Sequence, residues 1–210
     1  MIYTEMIATE AIIRRIPKVF EMLKFKEEDR PIVAQIFGSK PEVMAEAAKI
    51  IERKFKPDGI DINFGCSVQK AKKQGFGSCQ LKDAKRAGAI VRAVKKAVGL
   101  PVSAKIRLLN KHPADTISFI KVLEKSGIDA IAIHGRTPTQ KFSDHADWGI
   151  MHKIKKEFPK LLILGNGDIK EARDLKQKIG NLDGALVGRR AIKNPNIFKE
   201  LIKSKRGFFR

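Results

Sequence analysis

The stretch Gly59–Lys73, GIDINFGCSVQKAKK, changes character halfway along. An apolar run, Ile60–Phe64, leads into Asn63, Phe64, Gly65 and Cys66, and a basic segment with Lys70, Lys72 and Lys73 follows. The same hand-over recurs along the chain. Apolar runs at Ile2–Ile7, Ile32–Phe37, Ile60–Phe64, Val102–Leu108, Ala130–His134, Leu161–Leu164 and Ala185–Val187 are each followed by a helical pattern. They read as continuous rather than alternating, as expected of parallel strands covered on both faces. Polar and glycine residues gather at their C-terminal ends: Gln35 and Gly38, Asn63–Cys66, Lys105 and Arg107, His134–Thr137, Asn166–Asp168, and Gly188 with Arg189. An open doubly wound sheet would string these along an edge. A barrel brings them to one rim, where active sites lie. The expected fold is therefore α/β, of the (β/α)8 TIM-barrel type. Seven strand–helix units are one short of eight, and the expectation is that the first strand is the one lacking.

The intervening segments carry helix signals. Ser39-Lys40-Pro41-Glu42 reads as a capping box with proline in the first turn, ahead of a stripe at Val43, Ala47, Ile50 and Ile51. Asp83 is placed to cap a helix with Ala87, Ile90, Val91, Val94 and Val98 on one face. Ile117, Ile120 and Leu123 mark another, and Lys170–Ile179 a further one closed by Gly180.

With 210 residues, 43% of them hydrophobic, residues 1–210 are expected to form a single domain with a real core. The 43 Lys and Arg outnumber the 23 Asp and Glu, for a net charge of +20. That surplus favours a polyanionic partner such as nucleic acid, since each phosphate neutralised releases condensed counterions. Two cysteines make no disulfide framework, and four scattered histidines suggest no zinc site. No apolar run reaches membrane-spanning length and no signal-peptide pattern opens the chain, so a reducing cytoplasm is the expected location.

Several rim residues carry chemistry. GNGD (Gly165–Asp168) and GRR (Gly188–Arg190) each follow a buried strand. Small residues there let backbone N–H groups approach an anion, and Arg189 adds a bidentate donor, which points to a phosphate held after the last two strands. Lys105, inside VSAKIRL, faces either the rim or a costly interior. It suits an anionic or electron-rich ring, or a Schiff base. His134 ends its strand, placed to donate to a ligand carbonyl or ring nitrogen. Cys66 sits at a strand end among lysines, a setting that suits an acid or a nucleophile, whereas a buried filler is the plainer use of cysteine. Cys79 has no such setting and reads as filler.

Together these segments resemble the tRNA-dihydrouridine synthases, flavoenzymes that reduce uridine in tRNA. The resemblance runs from about Tyr3 to Phe198 and rests on YTEMI (Tyr3–Ile7), AQIFG (Ala34–Gly38), INFGCSVQK (Ile62–Lys70), AKIR (Ala104–Arg107), IHGRTPTQKFSDHADW (Ile133–Trp148), GNGDI (Gly165–Ile169) and GRRAIKNPNIF (Gly188–Phe198). It implies that Cys66 is the general acid protonating C5 of the uracil while reduced FMN delivers hydride to C6, with NADPH as reductant. It implies that Gln35, Lys105 and His134 hold the flavin ring. Asn166, Gly167, Asp168, Gly188 and Arg189 would surround the FMN phosphate, and Asn63, Arg136 and Lys70 would meet the substrate. Ser67 stands where the family motif has proline, and Asp144 where its long loop has glycine. The resemblance covers the central barrel. The family's first strand would precede Met1 and its C-terminal helical tRNA-binding domain would follow Arg210. Another FMN barrel, resembling dihydroorotate dehydrogenase, fits the basic charge and the HGRT…ADW loop less well. The non-enzymatic alternative is a barrel that binds RNA without turnover.

Overall fold

A computed structural model describes residues 1–67 and 76–205. Its sheet runs β1 (Ile2–Tyr3), β2 (Ile7–Ala8), β3 (Ile32–Phe37), β4 (Gly59–Asn63), β5 (Val102–Arg107), β6 (Ala130–His134), β7 (Leu162–Asn166) and β8 (Gly184–Leu186). Every pairing is parallel and follows chain order from β3 to β8. The apolar run at Ile2–Ile7 does not form one strand but is broken into β1 and β2, which both pair with β3 on either side of Thr4–Met6. Thr4 stays tied to β3: its N–H donates to Val33 O and its Oγ1 accepts from the Gln35 N–H.

Helices α1 (Thr9–Ile13), α2 (Pro17–Glu21), α3 (Pro41–Phe55), α4 (Ala84–Ala97), α5 (Pro113–Lys125), α6 (Trp148–Glu157), α7 (Ala172–Lys178), α8 (Arg189–Lys193) and α9 (Ile197–Lys205) fill the connections. Asp83 caps α4 as expected, accepting from the Arg86 N–H at 2.9 Å. The capping box at Ser39 does not form. Proline fixes the first turn of α3 at Pro41, which makes Lys40 the N-cap, and no side chain caps it. Asp147 caps α6, for which the sequence patterning gave neither cap nor bounds.

The core lies between the helices and the outer face of the sheet. Ile60, Ile62, Ala104, Ile106, Ile131, Ile133 and Ile163 meet Met44, Ile51, Ile90, Val94, Ile120, Leu123 and Ile154, all buried. The intervening strand positions point the other way. So the strands do alternate: apolar residues face the helices, while Gln35, Asp61, Asn63, Ser103, Lys105, Arg107, His134 and Asn166 face inward. The reading of these runs as unbroken apolar strands missed this.

The sheet curls. Residues from β3 through β8 line one cavity, and the Lys105 Nζ of β5 reaches the Asn166 Oδ1 of β7 at 3.0 Å. Among the described residues β8 pairs only with β7, so the curl stays open, a partial barrel rather than a closed one. Leu162, inward-facing at the start of β7, is 53% exposed there.

At the opposite end from the cavity a single device recurs. Asp58, Asp129 and Asp183 each precede a strand and accept an N–H at the start of the strand before it, from the first residue at Ile32 and Val102 and the second at Ile163, over 2.6–2.7 Å. Each carboxylate also meets a cation: Arg30, Lys95 and Lys155 respectively. Among the described residues no helix is long and apolar enough to cross a membrane.

Candidate active site

The C-terminal ends of the strands enclose a cavity of about 800 Å3, within the range of small-molecule sites. Gln35, Asn63, Cys66, Lys105, His134, Asn166, Gly167, Asp168, Gly188 and Arg189 all line it. Lys70, Lys72 and Lys73 lie outside the described residues.

Cys66 is held by its backbone from both sides. Asn63 Oδ1 accepts from the N–H of Gly65 at 3.1 Å and of Cys66 at 2.9 Å. The Cys66 carbonyl accepts from the Ser78 N–H at 2.7 Å. Gly77 makes that return possible. It sits at φ +66°, and a Cβ there would lie 2.5 Å from the Cys66 oxygen. A side chain at that position meets both backbone strain and the Cys66 carbonyl. Gly77→Ala is expected to cost about 1–3 kcal/mol of stability, read as a lowered urea midpoint. A midpoint unchanged from the parent would show that the loop yields without cost. Ser67, in place of proline, lies on the cavity wall.

The floor joins three strands. Lys105 donates to Asn166, whose Nδ2 donates to the Leu186 carbonyl at 2.8 Å. Burial pushes the Lys105 ammonium down to about 8, against the pull of Asp61. His134 is held down to about 3 by burial and then by Lys105, Arg107 and Arg136. Its ring is therefore neutral at physiological pH. Arg136 Nη1 lies 3.0 Å from His134 Nε2. A guanidinium only donates, so Nε2 accepts and the proton sits on Nδ1. The floor thus offers one cation and one neutral N–H donor.

Two arginines knit the loops together. Arg107 donates to Gly65 O at 3.1 Å and to Thr137 O at 2.9 Å, bridging the cysteine loop and the loop after β6. Arg136 does not line the cavity and is 1% exposed. It donates to the Phe142 and Asp144 carbonyls, and its Nη2 meets Asp168 Oδ1 at 2.6 Å. Any direct contact between Arg136 and a base requires these bonds to be exchanged. Asp144 does not take a positive φ, so the glycine of the family loop is not needed here. Its Oδ2 instead accepts from the Lys141 N–H at 2.7 Å.

Asp168 belongs to the wall rather than to an anion site. It takes φ +55°, and its two oxygens are engaged by Arg136 and by the Ala146 N–H at 2.8 Å. Arg189 stands 3.6 Å from the same carboxylate with more than half its side chain exposed, and lies over the Phe142 ring at 4.4 Å. A Cβ at Gly188 would meet nothing within 4 Å, so this wall is open. Lys141, Lys170, Arg190 and Lys193 complete a basic rim.

The dihydrouridine synthase family model matches residues 1–210. This chain belongs to the dihydrouridine synthase family. It is 42% identical to a probable tRNA-dihydrouridine synthase of Aquifex aeolicus, over 97% of this chain and 65% of that protein. It is 29% identical to a tRNA-dihydrouridine(20/20a) synthase of Synechocystis, over 94% of this chain and 62% of the relative. A probable tRNA-dihydrouridine synthase of Mycobacterium tuberculosis is 32% identical over 94% of this chain and 52% of its own length. The chain therefore spans between about half and two thirds of the length of these curated relatives.

Three features of this site were not singled out from sequence. Asp61 lay hidden in an apolar run, although a carboxylate at mid-strand is as anomalous as Lys105. Arg107 was noted only as a rim residue. Gly77 has a reason only once the Cys66 carbonyl is seen against it.

Proposed function

We propose that this chain carries the catalytic barrel of a tRNA-dihydrouridine synthase, reducing the C5=C6 bond of uridine in tRNA with bound FMN and with NADPH as reductant. The observation that supports this best is the donor set around one cavity. A backbone-clamped thiol stands on one side, a lysine and a neutral histidine N–H on the floor, and an open glycine wall with Arg189 on the other. FMN fits that set. Lys105, the Nδ1–H of His134 and the remaining Nε2–H of Gln35 would meet its ring carbonyls and nitrogens. Gly167, Gly188 and Arg189 would meet its phosphate, with Asn166 and Asp168 bracing that wall. Once bound and reduced, the flavin supplies the hydride that goes to C6 of the uracil.

Cys66 would give the proton from its Sγ–H to C5. Two C–H bonds form, the C5=C6 π bond is lost, and the thiolate regains its proton from solvent. Asn63, Lys70 and a released Arg136 would hold the base. The basic rim would take RNA phosphates while the target uridine is turned out of its stack. The test is nucleoside mass spectrometry of unmodified tRNA incubated with the chain, FMN and NADPH. Dihydrouridine that depends on both additions is expected. Its absence with flavin demonstrably bound would overturn the proposal.

A further inference from the structure

Asp61 lies beneath the cavity, fully buried and outside the roles given above. Its Oδ1 accepts from Ser103 Oγ at 2.6 Å and its Oδ2 from Gln35 Nε2 at 2.7 Å. Gln35 Oε1 accepts from Asn63 Nδ2 at 2.9 Å. Asn63 Oδ1 then accepts from the N–H groups of Gly65 and Cys66. Two side-chain amides stand in the middle of this chain, and an amide can turn either way round. The two ends cannot. An ionised carboxylate only accepts, and a backbone N–H only donates. With those ends fixed, one orientation of both amides satisfies every bond, and turning either amide over sets like against like.

We infer that Asp61 is a positioning residue: it fixes the direction of the Gln35–Asn63 relay and so keeps Asn63 Oδ1 on the backbone of Cys66. The groups facing it are Tyr3 from β1, Gln35 from β3, and Ser103 and Lys105 from β5. Burial pushes the Asp61 carboxyl up to about 6, while Ser103, Gln35 and Lys105 favour its charged form. At neutral pH it therefore remains largely ionised and acceptor-only. The functional meaning of this role rests on reading Cys66 as the proton donor.

The relay makes a prediction that a space-filling role does not. In Gln35→Glu, a carboxylate at position 35 meets the Asp61 carboxylate, so the bond between them is lost and their repulsion drives the position-35 side chain away from Asn63. Adding Asp61→Asn moves the negative charge one step along. The new amide donates to the position-35 carboxylate and accepts from Ser103, while the position-35 carboxylate still accepts from Asn63. The double variant restores every bond.

The readout is hydrogen exchange of the Cys66 backbone N–H, followed by NMR in the chain without flavin or RNA, with global stability measured alongside. Failure here is thus separable from failure of the catalytic reading. Exchange about tenfold faster is expected in Gln35→Glu, with return to within about threefold of the parent in the double variant. Additive loss in the double variant, or no change in Gln35→Glu, would overturn the inference. If Gln35→Glu does not fold, recovery of a folded double variant with parent-like exchange supports it. If neither folds, Asp61→Asn alone decides. It leaves the Gln35 amide free to turn in part of the population, so exchange about threefold faster is expected, and parent-like exchange would overturn the inference.

Discussion

A Cys66→Ala chain is expected to bind flavin as the parent does and to lose dihydrouridine formation by about 10²–10⁴-fold, the usual worth of a positioned general acid. The argument is geometric. The thiol is partly exposed on the cavity wall, and both of its backbone bonds come from main-chain or amide groups that an alanine would leave in place. Removing Sγ therefore removes chemistry and little else. Flavin absorbance after gel filtration measures binding, and nucleoside mass spectrometry measures turnover. Equal turnover in the variant would mean that the proton reaches C5 from another group. Loss of flavin together with turnover would mean that Cys66 shapes the pocket rather than serving as the acid.

Asp168→Ala is expected to destabilise the fold by about 3–5 kcal/mol, because it strands the buried Arg136 guanidinium without its counter-charge. Alanine is also less tolerant than aspartate of the positive φ at this position. Trp148, the only tryptophan, donates to the Gly167 carbonyl at 3.1 Å, so its fluorescence reports on the damaged wall during denaturation. Burial acts to raise the Asp168 carboxyl, but the Ala146 N–H and Arg136 outweigh it and hold the group below the usual carboxylate range. A depressed acid contributes stability above its unfolded value and loses it as pH falls through its folded value. The gap between parent and variant should therefore be full at pH 7 and shrink below about pH 4. A gap under about 1 kcal/mol at pH 7 would show that Arg136 finds other partners, placing the pair among those worth little.

Much of this was legible in the order of residues. The strand-end clusters located the rim, and Cys66, Lys105 and His134 stood out because a polar side chain in a buried run needs a reason. Asp61 escaped notice through an error of pattern. GIDIN and VSAKIR were read as unbroken apolar strands, yet their alternate residues turn to opposite faces. Arg136 shows a different limit. Its place in a recognisable motif suggested contact with a base, but the sequence carried no sign that the Phe142 and Asp144 carbonyls and Asp168 would take up its donors. Ser39 misled for a local reason, since the proline two residues on fixed the start of α3 and moved the cap. The broken first strand had no visible signal at all.

The three aspartates at the far end of the sheet bear on all of this. Asn63 pairs with Lys105 across the sheet, and His134 with both Arg107 and Asn166. Slide any strand by one residue and those side chains exchange places with the isoleucines behind them, pointing into the helices instead of the cavity. By pinning strand starts, Asp58, Asp129 and Asp183 act as alignment marks for chemistry that happens a full strand length away. Under the proposed function, variation at these positions would weaken flavin binding and turnover with no residue of the site itself altered.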